Sequence, residues 1–272
     1  MTLSIVIVSH NARKDLENCL DSLHQAPPVI PHDITVVDNA STDGGVEIIA
    51  ARWPAVRVIR QRENRGFAAG NNVGIRATDG ELVLLLNSDT LVPPGAIDTL
   101  IGRLSAHPGA ALAGPRLIDA LGRPELSFGP MISPLGELRQ KAIGWLYAAD
   151  APGVTGWVQR LTRQERFVDW VSGACLLVTR ADAEAVGLLD ERYFLYTEDV
   201  DFCAAIRARG RRVLFAPSAE VTHLRGRSRA TAPEAMNAAY RRSQVAFYEK
   251  HHPRWAPILK AYLGVKGELP RE

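Results

Sequence analysis

Lysine is scarce in this chain: only five of its 32 basic residues are Lys, which leaves 27 Arg. Charge of one sign is scarce too. A net +2 over 272 residues supplies no global field to hold a nucleic-acid backbone. Three cysteines, Cys19, Cys175 and Cys203, are odd in number, widely spaced and set among apolar residues. That excludes a disulfide framework or a thiolate metal site, and reads as buried thiols in a reducing compartment. No apolar run approaches the roughly 20 residues a membrane helix needs. The apolar stretch Ile5 to Val8 has neither a basic flank nor a cleavage site, so the expected location is cytoplasmic, peripheral at most to the inner face of the cell membrane. The first turn, Ser9-His10-Asn11-Ala12, lacks the Gly-x-Gly-x-x-Gly of a dinucleotide-dependent dehydrogenase. A sugar nucleotidyltransferase would need a Gly-rich, Lys-bearing loop near the start, which is also missing.

What is present is an alternation of short apolar runs and helical periodicities. Leu3 to Val8, Ile34 to Val37, Val56 to Ile59 and Leu82 to Leu86 read as strands. Between them, Leu16, Leu20 and Leu23 recur at helical spacing after a capping Asn11. Val46 and Ile49 mark a second helix, and Asn64 to Asn72 opens a third. A fourth helix follows Pro94. Leu82 to Leu86, with no polar break, suits a strand buried on both faces. The pattern predicts an α/β fold with a mostly parallel, doubly wound sheet. Residues 115–169 are rich in Gly and Pro and read as an irregular lid or binding surface. Val171 to Val178 reads as one further strand, Glu198 to about Arg209 as a helix capped by Thr197, and Val213 to Ala216 as a last strand before a polar loop, His223 to Ser228.

Ligands of such sheets bind beyond the carboxyl ends of the strands, and several polar residues fall there. Asp38 ends the second strand with a carboxylate able to accept the imide N–H of a pyrimidine; an Asx-turn is the rival reading. Gly66 and Gly70 at a helix start allow backbone to approach an anion, or serve tight packing. Asp89 can hold a hard divalent cation. Seven Arg lie between Arg207 and Arg229, against one later acid in that stretch, Glu220. Arg favours bidentate phosphate contacts.

These blocks, in this order, resemble the inverting GT-A-fold glycosyltransferases of family 2, especially their rhamnosyltransferase-like branch. The matching text is Ile5 to Asn11, Val37 to Gly44, Asn64 to Gly74, Leu86 to Asp89, Ser172 to Ala174, Tyr196 to Phe202 and His223 to Ser228. The resemblance implies that Asp38 holds the base of a UDP- or dTDP-sugar, with Ser9 and Asn11 nearby. Gly66, Gly70, Asn71 and Ser88 would line the ribose and diphosphate, and Arg227 and Ser228 would steady the phosphates. Asp89, helped by His223, would bind Mg²⁺ or Mn²⁺. Ser172, Gly173 and Ala174 would border the sugar. Asp199 would be the general base, with Glu198 holding the acceptor, a saccharide on a polyprenyl pyrophosphate. The family's metal motif is often Asp-x-Asp, and here its first position is Asn87, an oxygen donor without charge.

The expected activity is transfer of a hexosyl or deoxyhexosyl group to a hydroxyl in surface polysaccharide or glycolipid assembly. The rival is a catalytically inactive nucleotide-sugar-binding module. The expected organisation is a catalytic domain over residues 1–230, followed by a helical tail over 231–272 packed on it or on a membrane. In that tail Trp255, Ile258, Leu259, Tyr262 and Leu263 form one apolar stripe with basic neighbours.

Overall fold

The computed structural model describes residues 1–224 and 233–270. Its first half is β1 (Leu3–Ser9), α1 (Arg13–Gln25), β2 (His32–Asp38), α2 (Gly45–Arg52), β3 (Arg57–Arg60), α3 (Gly66–Arg76) and β4 (Leu82–Asn87). β1 pairs in parallel with β2 and β4, and β2 with β3, which gives the order β3-β2-β1-β4. Helices on both faces bury β1 completely. Ile5 and Ile7 pack with Leu16 and Leu20 of α1 on one side, while Val6 packs with Ala68 and Ile75 of α3 on the other. This two-sided burial explains why the strand is continuously apolar from Ile5 to Val8.

The second half is β5 (Thr90–Leu91), α4 (Ala96–Ser105), β6 (Ala110–Ile118), β7 (Phe128–Gly129), α5 (Pro134–Ala148) and α6 (Val154–Leu161). Then follow β8 (Arg166–Val168), β9 (Trp170–Val171), β10 (Cys175–Thr179), α7 (Arg180–Ala185), α8 (Glu198–Ala208), β11 (Arg212–His223), α9 (Pro233–His251) and α10 (Ala256–Val265). The sheet continues β4-β10-β6-β11-β5, with β8 also on β11. β10 runs antiparallel to both neighbours, while β11 is parallel to β6. The sheet is therefore mixed: six strands run one way, while β10 in the middle and β5 and β8 on β11 run against them.

Several local expectations change. The run Val171 to Val178 is broken: β9 pairs with β7 in a two-stranded ribbon, β10 enters the main sheet, and Ser172 to Ala174 turn between them. β11 is much longer than its apolar centre suggests, so His223 ends a strand instead of opening a loop. Residues 115–169 contain α5 and α6. Asn11 and Thr197 do not cap through their side chains, and both take positive φ. Pro94 sits ahead of Gly95, the residue that turns the chain into α4. All three cysteines are buried, and burial pushes the Cys19 thiol up to about 12, which keeps it protonated.

The tail packs against the rest of the chain. Phe247 and Tyr248 of α9 enter the core beside α8. Asp201 of α8 is buried under α9, with Lys250 Nζ at 2.8 Å, His251 Nε2 at 2.6 Å and Tyr193 Oη at 3.2 Å. On α10 the stripe divides. Leu263 is buried and Leu259 packs on the core, whereas Trp255, Ile258 and Tyr262 remain exposed.

Candidate active site

Register brings the polar ends of the strands to one rim. Ser9 lies opposite Asp38, and Val8 opposite Asn87. Along this rim runs a cleft of about 740 Å³. Ser88 and Asp89, the turn Ser172-Gly173-Ala174, Glu198 and Asp199, His223 and Gly66 all line it. Residues from five separate sequence blocks thus meet in one place.

Ser9, Asn11, Asp38, Gly70 and Asn71 are not among the residues that line this cleft. Asp38 is buried and accepts the Ser41 N–H at 3.2 Å, the Asx-turn geometry. Asn11 joins the first two strand-end turns: its Oδ1 accepts the Thr42 N–H at 2.8 Å and its own N–H reaches Ser41 Oγ at 3.0 Å. A Cβ on Gly70 would come within 2.8 Å of Val8, so this glycine lets α3 close on β1. Asn71 is fully buried and donates to the Phe67 carbonyl at 2.9 Å. Arg227 and Ser228 lie outside the described residues.

Gly66 has φ +90°, and a Cβ there would fall 2.2 Å from the carbonyl oxygen of Phe194. The Phe67 N–H donates to that same carbonyl at 2.7 Å, which ties α3 to the loop before α8. Gly66→Ala is therefore expected to cost about 2–4 kcal/mol by combining a disfavoured φ with a backbone clash. Urea unfolding of the variant measures this, and a loss under 0.5 kcal/mol, roughly the surface-substitution level, contradicts it.

At one part of the cleft His223 is held between two carboxylates. Its Nε2 is 3.3 Å from Asp89 and its Nδ1 3.4 Å from Glu125, with Asn87 Nδ2 3.4 Å from Nε2. Burial opposes the charged imidazole, but the hydrogen bonds to Asp89 and Glu125 and their charges outweigh it and raise the pKa from 6.5 to about 9. A raised folded-state pKa stabilises below the unfolded value and fades as pH climbs through the folded one. In chelator, stability should therefore fall between pH 6.5 and about 9, by on the order of 3 kcal/mol if the unfolded chain titrates normally. Denaturant midpoints across this range test it, and His223→Gln should flatten the slope.

Among the described residues, no three His, Cys, Asp or Glu side chains converge as a metal set. Two such ligands still suit a hard cation that takes its remaining oxygens from a bound diphosphate and water. Asn87 Oδ1 is buried with no hydrogen-bond partner, an oxygen of the right kind beside Asp89. The residues present fit such an ion.

Toward α8, Asp199 Oδ2 accepts the Gly173 N–H at 2.8 Å and Oδ1 accepts the Val200 N–H at 2.8 Å. Glu198 is buried, and its Oε2 has no hydrogen-bond partner. Burial first, and the neighbouring Asp199 second, hold its carboxyl well above the usual range. The two adjacent carboxylates therefore sit in different environments.

Among the acids not singled out from the sequence, Asp15 and Glu137 line the cleft, and Glu125 stands against His223. Asp15 is buried on α1, four residues before Cys19, and the helical stripe does carry that signal. Glu125 had none. It follows Pro124 in the segment read as irregular, and reaches His223 only because its N–H bonds back to the Leu117 carbonyl on β6.

The sequence matches the profile of Glycosyl transferase family 2 over residues 4–147. It is 32% identical over 292 aligned residues to the N-acetylglucosaminyl-diphospho-decaprenol L-rhamnosyltransferase of Mycobacterium tuberculosis, covering 99% of this chain and 94% of that protein. The fold is similar to the Pyrobaculum calidifontis mannosyltransferase PcManGT in complex with GDP-Man and Mn²⁺, with TM-score 0.62 and 19% identity over 96% of this chain and 68% of that one. It is also similar to GalNAc-T7 with UDP, GalNAc and Mn²⁺, with TM-score 0.60 and 17% identity over 82% of this chain and 43% of that one. These structural likenesses establish the GT-A architecture. With the long match in sequence, they place this chain in glycosyl transferase family 2, as a rhamnosyltransferase-like glycosyltransferase.

Proposed function

We propose that this enzyme transfers a deoxyhexosyl or hexosyl group, rhamnosyl first among them, from a dTDP- or UDP-sugar with inversion. The acceptor is a hydroxyl of a saccharide carried on a polyprenyl diphosphate, and the work is done at the inner face of the cell membrane. The observation that carries this is a single cleft holding both a carboxylate clamped for proton transfer, Asp199, and the Asp89–His223 pair.

The nucleotide lies over the ends of β1 and β2, with Asp38 toward the base. Asp89 and His223, with the Asn87 oxygen, would hold Mg²⁺ or Mn²⁺. When bound, that ion supplies positive charge to the departing diphosphate. Ser88 borders the diphosphate, and Ser172 to Ala174 border the sugar. Asp199 removes the proton from the attacking hydroxyl as the glycosidic bond forms. Glu198, whose Oε2 has no hydrogen-bond partner, orients the acceptor beside it.

A thermal-shift series with UDP, dTDP and GDP and their sugars, with and without Mn²⁺, tests the donor. A ligand at 100 times its Kd stabilises by about 2.7 kcal/mol. No shift with any nucleotide-sugar overturns the proposal. Nucleotide release on adding a GlcNAc-diphospho-polyprenol acceptor separates an enzyme from an inactive binding module.

A further inference from the structure

Three helices carry apolar side chains that nothing among the described residues covers. α5 has 15 residues and buries none of them. On it Leu135, Leu138 and Trp145 are 78%, 65% and 71% exposed. On α10 Ile258 and Tyr262 are 58% and 51% exposed, and Trp255 just ahead of it and Trp157 on α6 also stand in solvent. Three of the chain's five tryptophans are therefore on or beside these helices with their rings exposed. Single exposed apolar residues need no explanation, but clusters of this kind mark a binding surface.

Spacing keeps each set on one side of its helix. Positions 135, 138, 142 and 145 of α5 follow the i, i+3, i+7, i+10 pattern, and so do 255, 258, 262 and 265 around α10. The charge on them is mostly basic, and the acids just beyond α5 and α10, Asp150 and Glu268, are paired with Arg123 and Arg241. α6 and α10 contain no acidic residue. The single acid of α5, Glu137, is engaged by Tyr248 Oη at 2.8 Å, by Gln244 and by Lys141. The exposed charges left on and beside these helices include Arg139, Arg160, Arg254 and Lys266.

The surface adjoins the catalytic cleft. Glu137, Gln140 and Lys141 of α5 line the cleft itself. α10 is held to the segment that leads into α5: His252 Nε2 lies 2.7 Å from the Ile132 carbonyl, and Ala256 and Leu259 pack in the cluster that includes Met131 and Ile132.

We infer that the exposed faces of α5 and α10 dock this enzyme on an anionic lipid bilayer, at the side where the acceptor enters the cleft. Basic residues meet anionic headgroups, Trp and Tyr rings sit at headgroup depth, and the aliphatic residues enter the acyl boundary. No helix among the described residues is long and apolar enough to cross a membrane, so the contact is interfacial. This deepens the proposed lipid-linked acceptor, but the binding measurement needs no transfer.

The test is flotation of the full chain with phosphatidylcholine vesicles, with and without one-third phosphatidylglycerol, comparing wild type with Leu138→Glu/Trp145→Glu and Ile258→Glu/Tyr262→Glu. All four positions are exposed, and matched melting temperatures confirm that the variants fold. Wild type should float with the anionic vesicles and lose most of that binding in high salt. Each double variant should bind at least tenfold more weakly. Transfer to a short-chain, water-soluble acceptor should be unchanged, while transfer to a vesicle-embedded acceptor falls. Wild type that stays off anionic vesicles, or variants that float as well as wild type, overturn the inference. So does a wild-type dimer that the variants dissolve, which would give the face to a second copy of the chain. Failure of transfer to both acceptors with vesicle binding intact would count instead against the proposed reaction.

Discussion

Asp199→Asn is expected to lower turnover by about two to four orders of magnitude while leaving nucleotide-sugar affinity nearly unchanged. Three carboxylates lie within four residues, and their surroundings separate them. Asp201 is buried and occupied by Lys250, His251 and Tyr193, so it fastens α9 to α8. Glu198 is buried, and burial and the neighbouring Asp199 raise its pKa well above the usual range. Asp199 remains, on the cleft wall, with the Gly173 and Val200 N–H groups fixing its two oxygens. One donor comes from the turn before β10 and the other from the first turn of α8, and hydrogen bonds of this kind favour the ionised carboxylate a base needs. Asparagine keeps the shape and removes the proton acceptor. Glu198→Gln alters the acceptor contact and leaves the Asp199 carboxylate in place, so it should raise the acceptor KM more than it lowers kcat. Steady-state kinetics on both variants, with donor affinity measured by calorimetry, decide the matter. Near-normal turnover in Asp199→Asn alongside collapse in Glu198→Gln would reverse the two roles.

Chelation should produce a loss of similar size. Transfer is expected to fall by roughly two to three orders of magnitude in EDTA and to recover with Mn²⁺ or Mg²⁺, because a lost cation removes several kcal/mol of leaving-group stabilisation. Asp89→Ala should not recover with excess cation. It removes the carboxylate at the rim of β4 and leaves His223 with Glu125. Since His223 is protonated in the cation-free protein, binding must release that proton, and affinity for the ion should rise with pH up to about 9. Asn87→Asp restores a second negative oxygen next to Asp89 and should tighten the ion. Calorimetric titration of Mn²⁺ into the dTDP- or UDP-loaded protein gives these affinities directly. Full activity in chelator would assign diphosphate neutralisation to the Arg-rich stretch instead.

Much of the site was legible because it depends on local chemistry at strand ends. Ser88, Asp89 and Gly66 stand at the ends of periodic segments and line the cleft; Ser172 to Ala174 line it too, but follow only from the family resemblance, inside a run that reads as one strand. Gly66 was found for an incomplete reason. Its positive φ and its contact with Phe194 involve a loop more than a hundred residues away, which no local pattern reports. His223 was assigned to a loop because β11 loses its apolar run after Ala216. The strand continues through a register shift between Ala216 and Glu220, with β6 supplying partners for residues that lack strand-like periodicity.

The sequence by itself determined the alternation of strands and helices, the two-sided burial of β4, and the positions where polar residues end a strand. Each of these follows from hydrophobic period and turn chemistry within a dozen residues. Only the tertiary structure decided the rest. It reversed β10, brought Glu125 beside His223, separated Glu198, Asp199 and Asp201 into three environments, and turned half of the tail's apolar stripe inward. Those outcomes rest on contacts between distant segments, where burial and charge are set by whatever packs alongside, and the chain's local pattern does not record its neighbours.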